Sequence, residues 1–480
     1  MYMGVDLGTT NVKAVAVDDD GRIVGTGCAP VERYATPDGG IEQDIEQIWT
    51  ATCTAVRRAA AGPHAAAIRA LGVSSQGGAL QLLDADQKPM GRVISWLDGR
   101  GRPFDLRLNE ELGTDFLARH IGHSSSEMTI GQWLRLREQA PEVARAARFL
   151  AFVGDVIVGR LCGRRAHDAT SLAIAMLYNP WLRRADPEIL CRLGLAEEQL
   201  PDLLPTTMPA GKLLPDAARQ TGLREGIPVL PAVHDQYAAA FGAGSIREAD
   251  VNFGAGTAWV LLANTCRLAG PATRDAFVCP HLVPGIYGQL LSMRNGGSAI
   301  DWVLDLTGRA GASLDTVDSL LAEAPPGSAG LTFWPLLASD ADAVGGRIRG
   351  IALNHRACHL LRAAVEGLAC ELARHLRMLS AAGVPAHRLT MCGNAAASGV
   401  TPQIIADVTG LPVACVDTFD VGALGAAILV RAAIEPSVPL LEIAHRMAAP
   451  SRLVDPGEDA KLYAELYARY LGAYPFTPTP

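Results

Sequence analysis

The sequence predicts an α/β protein built from two related halves. Strand-like apolar runs alternate with helix-like segments along the chain, which is typical of a mainly parallel sheet covered by helices. Two stretches, around Gly8-Thr9 and around Gly256-Thr257, share the order strand, glycine-containing turn, strand. We therefore expect each half to carry such a hairpin, with chance similarity as the alternative. The chain has 480 residues, 49% of them hydrophobic, enough for two or three domains with a sizeable core.

The charge balance argues against two classes of partner. Lys and Arg number 42 against 50 Asp and Glu, which gives a net charge of −8. This balance is not that of a nucleic-acid-binding protein or of a polybasic membrane anchor. The ten cysteines are scattered along the chain, as expected for small core residues in a reducing compartment. The sequence shows neither a secretory leader nor an apolar run of membrane-spanning length, so we expect a cytoplasmic protein.

The first half follows the predicted alternation. Strands flank the turn at Gly8, and the run Asp18-Asp19-Asp20-Gly21 predicts a turn before a third strand. A helix is expected from Asp44, which can cap it, with Gln47 three positions further on. Further elements are predicted as strands at 68–74 and 79–83, helices at 133–137, 141–148 and 155–161, and loops with short helices across 179–226.

The second half repeats this pattern. The predicted elements after the loops are a strand at 227–231, the second hairpin, a helix at 357–379, strands at 388–392 and 413–416, and a small-residue helix at 422–433. The glycines and alanines of that last helix allow close contact with a sheet. They equally suit a flat ligand that lies on the helix N-terminus.

The segment Asp6-Leu7-Gly8-Thr9-Thr10 has the residue types of a phosphate site. Gly8 allows a tight turn and a close approach to the backbone. Backbone N–H groups and the two threonine hydroxyls could donate to a phosphate, while Asp6 could hold a metal ion through water. The alternative is an ordinary hairpin with a polar tip.

Several segments, in this order, resemble the FGGY family of carbohydrate kinases. They are Asp6–Thr10, Glu42–Trp49, Ser95–Arg100, the stretch 346–367 that is similar to a family signature, and 392–413 with 422–429, which are similar to its adenosine motif. The resemblance covers nearly the whole chain. It implies an α/β fold of two ribonuclease-H-like domains, as in actin-like ATPases, with an inter-domain cleft. The expected boundaries are 1–244 for the N-terminal FGGY domain, 245–440 for the ATP-binding C-terminal domain, and 441–480 for a helical extension that packs on the domains.

The resemblance also implies an activity. It is that of an ATP- and Mg²⁺-dependent sugar kinase, most similar to xylulokinase, which converts D-xylulose to D-xylulose 5-phosphate. Asp235, at the end of a strand and before a small-residue helix, matches the family's catalytic base, which accepts a proton from the sugar hydroxyl. The alternative role for Asp235 is that of a helix N-cap. His234 orients the base, touches the substrate, or is simply packed.

The remaining site residues implied by the resemblance fall into three groups. The residue expected to bind the metal ion is Asp6. The candidate substrate residues are Gln76, Gly77, His234 and Asp235. The candidate ATP-binding residues are Thr9, Thr10, Asn11, Lys13, Gly256, Thr257, Gly393 and Asn394, with Thr9 and Thr10 expected to face the ATP phosphates across the cleft from Gly256 and Thr257. Asp98 and Arg100 are expected to support the pocket edge, and Trp302 is expected in the core. Many relatives form dimers, which leaves a homodimer open.

Three departures from the family pattern put the sugar in doubt. Gln76-Gly77-Gly78 stands where xylulokinases often have Gln-Met-His-Gly. Either the pocket is larger there, or another side chain fills the space. Ile130, Gly131 and Gln132 replace a segment that usually contains lysine, and 334–350 replaces a Gly-Glu-Arg-x-Pro segment.

Other functions remain open at this point. Within the enzyme class, a ribulokinase-like enzyme or a kinase for another pentulose, hexulose or alditol is the alternative. An actin-like or Hsp70-like ATPase shares the first hairpin, but it does not explain Asp235 or the stretch 346–367. A degenerate family member that binds sugar or ATP for regulation is the third possibility.

Overall fold

The computed structural model of the chain describes residues 1–293, 295–337, 345–416, 418 and 420–474. Within them the strands are β1 Tyr2–Leu7, β2 Asn11–Val17, β3 Ile23–Pro30, β4 Tyr34–Ala35, β5 Ile41–Gln43, β6 Leu71–Ser75, β7 Leu80–Leu83, β8 Val93–Ile94, β9 Phe149–Phe152, β10 Ala166–His167, β11 Tyr178–Asn179, β12 Arg184–Ala185, β13 Asp202–Leu203, β14 Gly211–Lys212, β15 Pro228–His234, β16 Asp250–Ala255, β17 Trp259–Thr265, β18 Phe277–Pro280, β19 Tyr287–Ser292, β20 Thr332–Trp334, β21 Arg347–Arg349, β22 Arg388–Cys392, β23 Val413–Val416 and β24 Ser451–Val454. The α-helices of the same residues are α1 Ile45–Ala59, α2 His64–Ala67, α3 Arg102–Leu112, α4 Thr114–Ile121, α5 Thr129–Gln139, α6 Pro141–Ala146, α7 Val153–Cys162, α8 Ala169–Ile174, α9 Pro187–Leu193, α10 Pro215–Thr221, α11 Asp235–Gly242, α12 Gly297–Leu306, α13 Leu314–Glu323, α14 Ala357–Ala381, α15 Thr401–Thr409, α16 Val421–Ile434, α17 Leu440–Met447 and α18 Ala460–Gly472.

The chain divides into two compact units. The first comprises Met1–Glu248, Thr265–Gln289 and Asp420–Ala449, and the second comprises the described residues within 249–264, 290–419 and 450–480. The expected domain boundaries at 244 and 440 therefore differ from these units in two respects, because residues 265–289 and residues 420–449 both cluster with the first unit. None of the described helices combines the length and the apolar character that crossing a membrane requires.

The first unit is built on a mixed sheet whose central strands follow the order β10-β15-β6-β1-β2-β3. Strands β1, β6 and β15 run parallel, while β2 and β3 continue the sheet in antiparallel fashion. The apolar side chains of these strands are almost fully buried under α1 and α7. Such a sheet is covered on its faces by helices, which is why its strands are nearly continuous apolar runs.

The second unit repeats the arrangement of the first hairpin. Strands β16 and β17 form an antiparallel hairpin, and β22 and then β23 continue the sheet in parallel to β16, followed by antiparallel β24. In the first unit, β1 and β2 form the hairpin, and β6 and β15 are the parallel strands. The predicted relation between the two halves is therefore confirmed at the level of strand order.

The small residues of α16 serve close packing within the first unit. A Cβ atom on Gly4 of β1 would lie 1.8 Å from the Ala423 carbonyl oxygen, and one on Gly425 would lie 2.0 Å from that of Ala238 in α11. No side chain fits at these distances, so only glycine lets α16 lie directly on β1 and α11. Of the two interpretations of this helix, the structure supports the packing role.

Most predicted elements are confirmed, with local corrections. Strands β22 and β23 have the predicted bounds, and α14 begins at the predicted Ala357. The Asp44 side chain caps α1, but Gln47 does not complete a capping box, because its side-chain oxygen accepts from the Glu32 N–H. The expectation of a buried Trp302 was wrong, since this side chain is 41% exposed. The segment 334–350 lies partly outside the described residues.

Candidate active site

The first hairpin brings Asp6 to the edge of the first unit's sheet. Asp6 pairs with Lys13 of β2 on one side and with Ser74 of β6 on the other. The Ser74 hydroxyl donates a hydrogen bond of 2.7 Å to Asp6 Oδ1. The start of α16 lies against the Asp6 side chain, since a Cβ atom on Gly422 would be 3.1 Å from Asp6 Cγ. The carboxylate is thus held by three neighbouring elements.

Asp235 lies at the same edge. It follows β15 directly and is the first residue of α11, while His234 occupies the N-cap position and makes no side-chain cap. The alternative that Asp235 is an N-cap was therefore wrong. Because β1, β6 and β15 are parallel, their carboxyl ends meet at one edge, where ligands of α/β sheets commonly bind. The N-terminus of α11 favours the ionised form of the Asp235 carboxyl.

Both carboxyl groups have a raised pKa. Burial raises the pKa of Asp235 to about 6, against hydrogen bonds from Gln236 that lower it. Burial also raises the pKa of Asp6 to about 6, with a further contribution from the negative charge of Asp235, while Ser74 and Lys13 oppose it. The negative charge of Asp235 therefore disfavours the ionised form of Asp6 when no cation is bound.

The other predicted ATP-binding residues of the first unit lie at the tip and on the second strand of the same hairpin. Thr10 is exposed at the hairpin tip, and its carbonyl oxygen accepts from the Val31 N–H. Lys13 Nζ lies 3.5 Å from Asp420 Oδ1, just before α16. Asn11 Oδ1 is 3.7 Å from the Cys28 thiol that donates to it. Lys13 is therefore placed beside Asp6 by the strand register, Thr10 lies at the hairpin tip, and the Asn11 side-chain oxygen already has a partner.

Thr9 belongs to a network of side chains. Its hydroxyl donates to Gln76 Oε1 at 3.2 Å and accepts from Trp96 Nε1 at 3.0 Å. Gln43 Nε2 donates to the Thr9 carbonyl oxygen, and Gln76 Nε2 donates to Gln43 Oε1, both at 3.0 Å. The single hydroxyl proton of Thr9 is used inside this network, so in this structure Thr10 is the better placed of the two threonines to donate to a phosphate.

The two glycines after Gln76 are closely surrounded. A Cβ atom on Gly77 would lie 2.5 Å from His234 Cδ2 and 2.6 Å from Ile174 Cγ2. A Cβ atom on Gly78, which has φ of +72°, would lie 3.1 Å from Met128 Sδ. Of the two alternatives for this loop, the structure supports the second, in which other side chains fill the space.

Arg100 supports the loop that carries Trp96. Its guanidinium contacts Asp38 at 3.0 Å, Glu42 at 2.8 Å and the buried Asp98 at 2.7 Å. Asp98 also accepts from the Ile41 N–H. Arg100 and Asp98 therefore connect the loop after β8 with β5 and the turn before it, which is the supporting role expected of them.

In the second unit, the hairpin tip and the segment after β22 come together. Gly256 and Thr257 are exposed, and their carbonyl oxygens accept from the first amides of α12. Gly393 has φ of +95°, and a Cβ atom on it would lie 2.9 Å from the Ala255 carbonyl oxygen. Asn394 follows and is exposed. These four predicted ATP-binding residues thus form one cluster within their unit.

Comparison with known proteins identifies the family. The models of the FGGY family of carbohydrate kinases match residues 1–242 with the N-terminal domain and residues 252–434 with the C-terminal domain. The chain belongs to the FGGY family. It is therefore a carbohydrate kinase, which uses ATP to phosphorylate a sugar, and the resemblance noted in the sequence is confirmed.

Individual FGGY proteins are similar over nearly the full length. The L-xylulose/3-keto-L-gulonate kinase of Escherichia coli K12 is 27% identical, over 98% of this chain and 95% of that protein. The xylulose kinase of the same organism is 27% identical, over 92% of each chain. The crystal structure of xylulose kinase from Rhodospirillum rubrum has 23% identity and a TM-score of 0.91, over 98% of both chains. This last likeness confirms the predicted actin-like two-domain FGGY fold.

The residues near Asp6 suit the Mg²⁺ expected for an FGGY kinase. In the part of the chain that the structure describes, no three His, Cys, Asp or Glu side chains group as a metal site. Mg²⁺ at nucleotide sites commonly takes only one or two carboxylates, with waters and substrate phosphates as its other ligands. Asp6, at the sheet edge where the parallel strands end, offers such a carboxylate.

Sequence reasoning missed part of this FGGY site. Gln43 and Trp96 were noticed only as members of family-like segments, although both contact Thr9. Ser74, the partner of Asp6, ends an ordinary apolar strand, and nothing in the sequence marks it. Ser74 could have been identified only from the register of the parallel strands β1 and β6, which pairs it with Asp6.

Proposed function

We propose that this FGGY kinase phosphorylates a ketose, with D-xylulose as the first candidate, and that Asp235 is its general base. The observation that carries the proposal is the place of Asp235, at the start of α11 and at the sheet edge that also holds Asp6. The xylulose kinases among its relatives support the choice of sugar.

In the proposed reaction, the Asp235 carboxylate accepts the proton of the sugar hydroxyl as that oxygen attacks the γ-phosphate of ATP. Phosphoryl transfer needs mainly positioning and charge neutralisation, and little covalent work from the protein. Asp6 would hold Mg²⁺ directly or through water. The metal ion, when bound, neutralises charge on the phosphates.

The ATP contacts predicted from the sequence remain part of this proposal. In the first unit they are Thr10 and Lys13, with Thr9 and Asn11 as neighbours that shape the hairpin. In the second unit they are Gly256, Thr257, Gly393 and Asn394. Gln76 and Gly77 remain the predicted sugar-side residues, together with His234. A cytoplasmic location and a homodimer remain predictions.

The rate should depend on pH through Asp235. A base must be ionised to accept a proton, and the pKa of this carboxyl is raised from 3.8 to about 6. We therefore expect kcat/KM for the sugar to be constant above about pH 7 and to fall at least tenfold per pH unit well below 6. A pH–rate profile at saturating ATP and Mg²⁺ measures this. A profile that stays flat down to pH 5 would contradict it.

A second candidate substrate is an L-ketose such as L-xylulose. The observation that favours it is the similarity to the L-xylulose/3-keto-L-gulonate kinase over nearly the whole chain. Ribulose, hexuloses, alditols and glycerol complete the set of acceptors to compare.

The substrate is tested by ADP release across this panel of acceptors with ATP and Mg²⁺. We expect D-xylulose or L-xylulose to give the highest kcat/KM. Preference for an alditol or glycerol would overturn the ketose proposal. ATP hydrolysis that no acceptor stimulates would favour a degenerate, regulatory family member.

A further inference from the structure

The ring of His234 occupies the space beside Gly77. The side chain is buried, and its Nε2 lies 3.3 Å from Asp235 Oδ1. A Cβ atom on Gly77 would lie 2.5 Å from His234 Cδ2 and 2.7 Å from Nε2. Contacts under about 3 Å are not tolerated in a packed interior, so any side chain at position 77 would displace this ring.

The backbone that carries the ring is fixed. The backbone N–H of His234 donates to Thr170 Oγ1 at 3.0 Å, and that hydroxyl donates to the buried Asp168 at 2.6 Å. Tyr237 lies across the ring, with 6.0 Å between the ring centroids. The backbone of His234 pairs with Ser75 of β6. The ring thus packs beside Gly77 and Tyr237 with its Nε2 near Asp235, while its buried Nδ1 has no hydrogen-bond partner among the described residues.

The charge state decides which atom donates. Burial lowers the pKa of His234 to about 3, so the imidazole is neutral at pH 7. An ionised Asp235 can only accept, so the neutral ring serves it by carrying its proton on Nε2. At 3.3 Å the two atoms are in close contact without a well-aligned hydrogen bond, and catalytic hydrogen bonds often tighten only when the substrate is bound.

We propose that His234 is a positioning residue, whose ring, admitted by the missing side chain at Gly77, holds the Asp235 carboxylate in the orientation that accepts the sugar proton. This inference rests on the proposed function of Asp235 as the base. It gives a reason for the Gln76-Gly77-Gly78 sequence, because His234 takes the space of a larger residue at position 77. Orientation of a base within a fraction of an ångström matters greatly for the rate.

Two replacements separate positioning from packing. His234→Gln keeps an N–H donor near the position of Nε2, whereas His234→Leu keeps an apolar side chain of similar length and donates nothing. We expect His234→Leu to lower kcat about 100-fold, with the KM values for ATP and sugar changed less than about threefold. His234→Gln should recover most of the lost kcat. Thermal unfolding of both variants checks that the fold is intact.

A glycine pair provides the second measurement. Gly77→Ala should lower kcat, because the new methyl group displaces the ring of His234. Gly270→Ala is the matched control, since a Cβ atom there meets no atom within 4 Å. It should leave kcat at the wild-type value.

The outcomes distinguish this inference from the function on which it rests. A wild-type kcat in His234→Leu, or an equal loss in His234→Leu and His234→Gln, would overturn the positioning role. If Asp235→Asn is inactive while His234→Leu is not, only the positioning role fails. If Asp235→Asn itself keeps full activity, Asp235 is not the base, and the positioning role of His234 is overturned with it.

Discussion

Replacement of Asp235 by asparagine should reduce sugar-dependent phosphoryl transfer by about 100- to 10,000-fold, the usual contribution of a general base. Asparagine keeps the size of the side chain and its place at the start of α11, but it cannot accept the hydroxyl proton. The fold should survive, because the Asp235 side chain is partly exposed, and removing a carboxyl whose pKa is raised to about 6 relieves a desolvation cost. Steady-state ADP release with the best acceptor measures the loss.

A matched control for Asp235→Asn is Asp216→Asn. Asp216 undergoes the same chemical change, but its side chain is 70% exposed and accepts hydrogen bonds from Arg219 and Gln220 at the surface. We expect wild-type kcat and KM from this control. If Asp235→Asn kept more than about a tenth of the wild-type kcat, the role of Asp235 as the base would be wrong.

The second large effect concerns the stability of the second unit. Glu366 of α14 is buried, and both of its carboxylate oxygens accept hydrogen bonds. The donors are Arg362 Nε at 3.0 Å, the Gly327 N–H at 2.9 Å, the Ser328 hydroxyl at 2.8 Å and the Tyr463 hydroxyl at 2.7 Å. Through Tyr463 the network fixes α18 against α14.

Glu366→Ala should lower the free energy of unfolding of this unit by about 3–5 kcal/mol, because it leaves the buried Arg362 charge without its partner. Urea denaturation, followed by tryptophan fluorescence, measures the change. Glu188→Ala is the control, since Glu188 and Arg192 form the same i,i+4 pair at the surface and should contribute less than about 1 kcal/mol. Equal effects of the two variants would show that the buried network does not stabilise the unit.

Local sequence patterns predicted much of the fold. Short apolar runs between glycines and prolines defined β22 and β23, and a long apolar periodicity with a clear start defined α14. Asp235 was singled out because its strand, carboxylate and small-residue helix match the segment that carries the base in the FGGY family. These signals lie within a few residues of one another, so no tertiary information is needed.

The features that the sequence did not predict depend on contacts between distant segments. The sequence places α16 after β23, yet its packing on Gly4 and Gly72 assigns it to the first unit. The direction of the Thr9 hydroxyl depends on Gln76 and Trp96, which lie far away along the chain. Likewise, the filled space beside Gly77 is visible only when β6 and β15 are paired.

The most direct test of the account is the fate of the γ-phosphate. Phosphorus NMR of a reaction with ATP, Mg²⁺ and D-xylulose or L-xylulose distinguishes a sugar phosphomonoester from inorganic phosphate. The account predicts a phosphomonoester signal that grows with the ADP signals and is absent with Asp235→Asn. Inorganic phosphate as the sole product, or a phosphomonoester formed equally fast by Asp235→Asn, would contradict it.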